Sequence, residues 1–221
     1  MQRVVMSWSG GKDSAMALFD ILSRPDFEVV ALLTTVTRDY DRISMHGVRR
    51  ALLKRQADSL GLKLEEVFIS KNASNEEYEK GMADALAAFK RAGVESVVFG
   101  DIFLEDLRRY REEKLRVADM KAVFPLWKID SGVLARRFIE KGFKAVTTCI
   151  DTQTLGMEFV GREIDGGFLA GLPPGVDPCG ENGEFHSFVY DGPIFKRSIR
   201  FATGEKVLRE ERFYYCDLVE A

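Results

Sequence analysis

The chain has 221 residues, 46% of them apolar and 30% charged, a globular composition that suits one large domain or a medium domain with a smaller appendage. Its formal net charge of −3 argues against coating of nucleic acid or attraction to an anionic membrane as the main interaction. No apolar run is long enough to span a bilayer and the N-terminus lacks a signal-like apolar stretch, so the expectation is a cytoplasmic protein. Cys149, Cys179 and Cys216 lie far apart without a CxxC pair, and the histidines are His46 and His186. Neither a disulfide framework, a zinc site nor a histidine-based metal centre is indicated.

Residues 3–8 are apolar and β-branched enough for a buried strand, and 15–22 form a helix run that stops before Pro25. Between them lies Ser9-Gly10-Gly11-Lys12-Asp13-Ser14. Residues 27–36 read as the next strand, a nearly continuous apolar run suited to a sheet covered on both faces. A polar loop is expected over 37–44, and Met45-His46-Gly47-Val48-Arg49 reads as a loop-to-helix start. The helix over 46–60 turns Val48, Leu52, Leu53, Ala57 and Leu60 inward and closes on Gly61. A third strand follows over 64–69. Ser74 and Glu77 have the spacing of a capping box for a helix running to about residue 92. Residues 94–99 make a fourth strand ending in Gly100-Asp101, 103–120 a long charged helix, and 122–126 a short strand. This alternation predicts an α/β fold, a doubly wound parallel sheet. Ligands on such sheets sit beyond the strand C-termini at a topological switch point, the edge that carries the Ser9 loop, Thr34-Thr35 and Gly100-Asp101.

Ser131 is expected to cap a helix to 142, followed by a strand over 143–150 and a turn-rich stretch over 166–183. From Phe185 the alternation ends. Residues 188–190, 196–201 and 206–215 read as antiparallel strands, with Thr203-Gly204-Glu205 turning the last pair. A boundary near Trp127 divides the chain into 1–126 and a smaller α+β part, 127–221.

Three stretches could carry chemistry. In the first, Gly10 and Gly11 can bring bare backbone N–H groups to a phosphate, with a helix N-terminus behind them. Ser9 and Ser14 add hydroxyl donors and Lys12 a mobile positive charge. The spacing is neither that of a Walker A loop nor of the three-glycine dinucleotide fingerprint. In the second, Asp101 stands at a strand end, placed to bind Mg²⁺ directly or through water. Glu105, Arg108 and Glu112 then share one helix face, a spacing that by itself reads as a solvated, ion-paired helix. The third, Gly175-Val176-Asp177-Pro178-Cys179-Gly180-Glu181-Asn182-Gly183-Glu184-Phe185-His186, describes a tightly turned loop able to set acidic and amide groups around a cationic or amide-bearing ligand.

The first stretch resembles the PP-loop of the N-type ATP pyrophosphatases, Ser-Gly-Gly-x-Asp-Ser. With Gly100-Asp101 and its Arg/Glu helix, Pro125-Leu126-Trp127 and the long glycine-rich run, the whole chain resembles the diphthine–ammonia ligase family. The resemblance implies an adenine nucleotide alpha-hydrolase-like (HUP-type) domain joined to a smaller C-terminal domain. It implies ATP and Mg²⁺ as cofactors, ammonium as nitrogen source, and diphthine on elongation factor 2 as the adenylated carboxylate, with AMP and pyrophosphate released. Carried over, Ser9, Gly10, Gly11, Lys12, Asp13, Ser14, Thr34 and Gly100 bind ATP. Asp177, Cys179, Gly180, Glu181, Asn182, Glu184 and His186, with Glu105 and Arg108, form the acceptor or ammonium site. Lys12, Asp13 and either Glu181 or Glu184 serve catalysis. A stable nucleic-acid complex and a membrane are not expected; a homodimer is compatible with the sequence. Two other readings remain open at this point. One is a PP-loop ligase or sulfur transferase acting on a small molecule or tRNA; the other is an ATP-binding sensor without turnover.

Overall fold

The structure, a computed structural model, describes residues 1–43 and 47–221. Five parallel strands lie in the order β4 (Lys63–Ile69), β2 (Phe27–Thr37), β1 (Gln2–Ser7), β5 (Ser96–Val98) and β6 (Lys121–Val123). Because side chains alternate across a strand, β1 sends Val4 and Met6 to one face and Val5 to the other. Helices α1 (Lys12–Leu22) and α2 (Arg50–Leu60) cover the first face through Leu18, Ile21, Leu52 and Leu53. Helices α3 (Asn75–Arg91) and α4 (Glu105–Val117) cover the second through Leu86 and Leu115. The doubly wound expectation therefore holds.

A second sheet, antiparallel throughout, has the order β8 (Phe185–Asp191), β7 (Lys144–Asp151), β10 (Phe213–Glu220) and β9 (Phe201–Arg209). It packs with α5 (Ser131–Glu140) and the short α6 (Gly166–Ala170) into the core on the α1/α2 face of the parallel sheet. One apolar cluster runs without a break from Met6 and Leu53 to Phe138, Val146 and Phe188. Each such fully buried side chain contributes about 1.5–3 kcal/mol.

Several boundaries differ from the sequence expectations, each for a physical reason. Helix α1 starts at Lys12, inside the loop motif, because the Ala15 N–H already bonds the Gly11 carbonyl at 3.1 Å. The expected polar loop over 37–44 contains β3 (Arg42–Ile43), which folds back antiparallel on Val36 and Thr37. Helix α2 starts at Arg50, since Arg49 is extended and bridges to Arg42; the Met45-His46 part of the expected helix start lies outside the described residues. The capping box is half formed. Ser74 accepts from the Glu77 N–H at 3.2 Å, but the Glu77 carboxylate turns to the Ser70 N–H and hydroxyl, at 2.7 and 2.8 Å. Asp130, not Ser131, caps α5, accepting from the Val133 N–H at 2.8 Å.

The expected strand over 196–201 is irregular up to Arg200, its backbone drawn instead to the end of α2. The Lys196 N–H bonds the Ser59 carbonyl at 2.9 Å, and the Ser59 hydroxyl bridges the Arg197 carbonyl and N–H. Thr203-Gly204-Glu205 does not turn; it lies within β9. The hairpin turns at Glu210 and Glu211, both at φ 52°, closed by the Arg212 N–H on the Arg209 carbonyl at 3.1 Å. Two successive left-handed residues match the twist of the strands, a geometry that Asn-Gly advertises and Glu-Glu does not.

Candidate active site

In the parallel sheet the strand order reverses between β1 and β5, so the loops after these two strands diverge around a crevice. After β1 the chain makes the Ser9–Gly10–Gly11 turn, with Gly10 at φ 76°. A β-carbon on Gly10 would lie 2.7 Å from Gln56 Oε1, so the turn has no room for a side chain. Helix α1 begins at once, without a side-chain cap from its own Gly11. The Ser187 hydroxyl, from β8, fills that role by accepting from the Lys12 N–H at 3.1 Å. Ser9 and Ser14 hydroxyls lie 3.1 Å apart, and Ser14 donates to the Gly11 carbonyl at 2.9 Å. After β5, Gly100 passes so close to α1 that a β-carbon there would be 2.8 Å from the Asp13 carbonyl carbon. Thr34 is buried in the carboxyl-terminal part of β2 and lines a larger cavity that reaches this edge.

Lys12 is buried; its amino group pairs with Asp13 at 2.8 Å and donates to the Cys179 carbonyl. Burial pulls its pKa down, but Asp13, Cys179 and Glu181 more than offset this, so the ammonium stays charged with a raised pKa. The bond to Cys179 draws the glycine-rich loop of the C-terminal part against the first loop. Glu181 is tied to the same edge by the Ile102 N–H, 2.8 Å from its Oε1. Burial, with the charges of Asp13 and Asp101, pushes the Glu181 carboxyl up to about 7 against that hydrogen bond and Lys12. His186 also lines this cleft; burial and the nearby Lys12 charge lower its pKa to about 4 and leave it neutral near pH 7.

The remaining loop residues organise the turn itself. Asp177 Oδ2 accepts from the Cys179 and Glu181 N–H groups at 3.1 and 2.9 Å. Glu184 accepts from the Asp177 N–H, the Asn182 N–H and the Asn182 side-chain amide, each at 3.0 Å. Gly180, at φ 66°, lies against Phe185, where a β-carbon would be 2.9 Å from the ring. The Cys179 thiol is buried, directed at the Ser131 carbonyl 3.3 Å away, and burial raises its pKa.

Asp101 is buried and pairs with Arg111, whose Nε lies 2.7 Å from Oδ2. That approach lacks hydrogen-bond geometry, so both atoms stay without a hydrogen-bond partner, although Nη2 donates to Oδ1 at 3.1 Å. Burial raises the Asp101 pKa, with Arg111 opposing. Among the described residues no group of three or more His, Cys, Asp or Glu side chains forms a metal cage by itself. One buried carboxylate with an unsatisfied oxygen fits Mg²⁺ held mainly by phosphates and water.

Glu105 and Arg108 do not line the cleft of about 240 Å³ at the loop. Glu105 pairs with Lys128 at 2.8 Å; Arg108 bonds Glu112 at 2.7 Å and stacks on Trp127, 4.6 Å from the ring centroid. Three residues of the site were missed in the sequence. Gln56 is fully buried, accepts from the Trp8 indole N–H at 3.0 Å, and donates to the Gly10 and Val189 carbonyls at 3.0 and 2.6 Å. Its signal was a polar side chain on the inward face of α2, beside Leu52 and Leu53. Ser187 and Arg111 carried no local signal that set them apart.

A cleft over a Ser-Gly-Gly turn and helix N-terminus, at the switch point of a doubly wound sheet, is the architecture of the PP-loop class of nucleotide-binding proteins. The family model for the diphthamide synthase N-terminal domain matches residues 1–122, and that for the diphthamide synthase C-terminal domain matches residues 130–219. The chain is 26% identical over 234 residues to the diphthine–ammonia ligase of Danio rerio, covering 95% of this chain and 90% of that protein. It is 25% identical over 230 residues to that of Rattus norvegicus, covering 93% and 85%. The Homo sapiens diphthine–ammonia ligase is 30% identical over 123 residues, covering 52% of this chain and 45% of that protein. The chain belongs to the diphthamide synthase family and is an enzyme, a C–N-forming ligase of an ATP-using family. Among the described residues no helix is long and apolar enough to cross a membrane.

Proposed function

We propose that the chain adenylates a protein carboxylate with ATP and transfers ammonia to it, the acceptor being diphthine on elongation factor 2 and the product diphthamide. The observation that carries this reading is the Lys12 ammonium, held between Asp13 of the first loop and the Cys179 carbonyl of the late loop, which gives nucleotide and acceptor residues one cleft. The same reading divides the chain into a PP-loop ATP-binding domain, residues 1–126, and an acceptor-binding domain, residues 127–221.

A carboxylate is a poor acyl donor. Its oxygen forms a bond to the α-phosphorus while the bond from that phosphorus to pyrophosphate breaks, so AMP becomes the acyl leaving group. Such a step depends on positioning and charge neutralisation more than on a protein nucleophile. The N–H groups of the glycine turn and Lys12 hold the departing pyrophosphate. Mg²⁺, with Asp101 as one ligand, would supply further neutralisation of the phosphates. Ammonium next gives a proton to a carboxylate, and ammonia attacks the acyl carbon to form the C–N bond. The bond to AMP breaks with its electron pair going to the phosphate oxygen, and the added nitrogen releases a second proton to solvent to leave the amide. Glu181 suits the base better than Glu184: it faces the cleft and titrates near 7, whereas the Glu184 oxygens are occupied by three N–H groups of its own loop.

Mass spectrometry of a reaction with ATP, Mg²⁺, ammonium and diphthine-bearing elongation factor 2 tests the proposal, beside an Asp13→Ala reaction. The expected products are AMP, pyrophosphate and a factor whose mass changes from acid to amide, all lost with Asp13→Ala. AMP without the modified factor would point to another carboxylate acceptor. Bound ATP that is never cleaved would replace the ligase by a sensor.

A further inference from the structure

Two cavities open along the carboxyl edge of the parallel sheet. One, about 240 Å³, lies at the Ser9–Ser14 loop; the other, about 1050 Å³, reaches Thr34 and Thr35 and continues beneath α3 and α4. Their walls share four residues, Ser7, Ser9, Phe99 and Arg111. Arg111 is the cation common to both walls among the described residues. Its guanidinium carbon sits over the Phe99 ring, 4.3 Å from the centroid, a cation–π contact that anchors the side chain. Asp101 covers one edge of the fork, through Nη2 by a hydrogen bond at 3.1 Å and through Nε by an ion pair at 2.7 Å, and does not engage the Nη1 end. The guanidinium, half-buried and anchored along one edge by Asp101, thus stands at the junction of the two cavities.

This inference rests on the ligase reading above. With pyrophosphate on the Ser9–Ser14 loop and adenosine toward Thr34–Thr35, the α-phosphate must cross the shared wall. We propose that Arg111 is the α-phosphate clamp of this enzyme: its guanidinium binds the phosphate that is attacked, while Lys12 and the loop N–H groups bind the pyrophosphate that leaves. A planar fork pairs with two oxygens of a phosphate at once, which a lysine point charge does not. Negative charge spreads over the α-phosphate oxygens as the acyl oxygen bonds to phosphorus and the pyrophosphate oxygen departs. A cation seated there acts on that charge without moving.

Binding titrations separate this role from a structural one. Wild type, Arg111→Lys and Arg111→Met are titrated with AMP, adenosine and inorganic pyrophosphate, with melting curves to establish folding. Methionine keeps an apolar stem over Phe99. Losing a charge-assisted pair, worth about 1.5–3 kcal/mol, lowers AMP affinity roughly 10- to 100-fold in Arg111→Met and less in Arg111→Lys. Adenosine and pyrophosphate affinities stay within about twofold, well under the 1.4 kcal/mol that a tenfold change represents. Unchanged AMP affinity, or an equal loss for adenosine, overturns the clamp. Wild type that binds AMP no better than adenosine overturns it too. The ligase reading fails separately, when wild type binds AMP selectively yet makes none from ATP and the acceptor.

Discussion

At the scale of single residues, Glu181 and Glu184 show how environment divides two carboxylates of one loop. Glu184 is saturated by loop N–H groups, whereas Glu181 has one backbone donor and faces Asp13 and Asp101 across the cleft. Burial first, then those charges, raise Glu181 from its ordinary 4.5 to about 7. Between these values the folded protein holds a proton that the unfolded chain has lost, so stability falls as pH rises through this window. Glu181→Gln keeps an oxygen for the Ile102 N–H but carries no charge. It is expected to melt higher than wild type at pH 8 and about equally at pH 4, while the amidation rate drops by roughly 10²-fold or more. The wild-type rate at saturating ammonium should rise through pH 7 as Glu181 ionises. A Gln variant no more stable than wild type at pH 8 would remove the buried-charge explanation.

At the scale of elements, the first loop is held less by its own residues than by what packs behind it. Helix α2 brings Gln56 between Trp8, Gly10 and Val189, joining β1, the phosphate turn and β8 through one amide. The Gly10 carbonyl also accepts from the Val189 N–H at 2.9 Å. Gln56→Leu has the right volume for the apolar face of α2 but orphans the buried indole N–H of Trp8. The expected cost is about 1–3 kcal/mol, read from urea denaturation, with weakened ATP binding because the turn loses its backing. A substitution that leaves the urea midpoint unchanged would show that the amide is replaceable. Element type was legible along nearly all of the parallel domain, because 3.6-residue and two-residue periodicities are local properties of the chain. Strand positions after Tyr190 were not. The irregular stretch at 196–200 is decided by Ser59, some 138 residues distant, and the β9–β10 turn by a strand twist that its Glu-Glu sequence does not signal.

At the scale of the whole molecule, the two sheets are pinned to each other by Asp217 of β10. It accepts from Arg42 of β3 at 2.7 Å and from Arg49, the residue before α2, at 2.6 Å. Burial alone would raise the Asp217 pKa, but the bonds from Arg49 and Arg42 hold it at about 2, below its ordinary 3.8. This contribution to stability is present above pH 4 and is lost as pH falls through 2. Asp217→Asn should therefore melt below wild type at pH 7 and lose less of its stability between pH 4 and 2. Equal melting temperatures at pH 7 would mean that Asp217 does not pin the sheets. The sequence by itself determined the α/β alternation, the glycine turn between β1 and α1 and the family resemblance, because each resides in short contiguous stretches with their own backbone preferences. Only the tertiary structure decided that the late loop closes on Lys12, that Ser187 caps α1, that Gln56 backs the turn, and that Arg111 rather than Arg108 reaches the cleft. Those outcomes depend on contacts between residues as far as 175 positions apart and on which helix face the packed core turns inward. No local pattern encodes them.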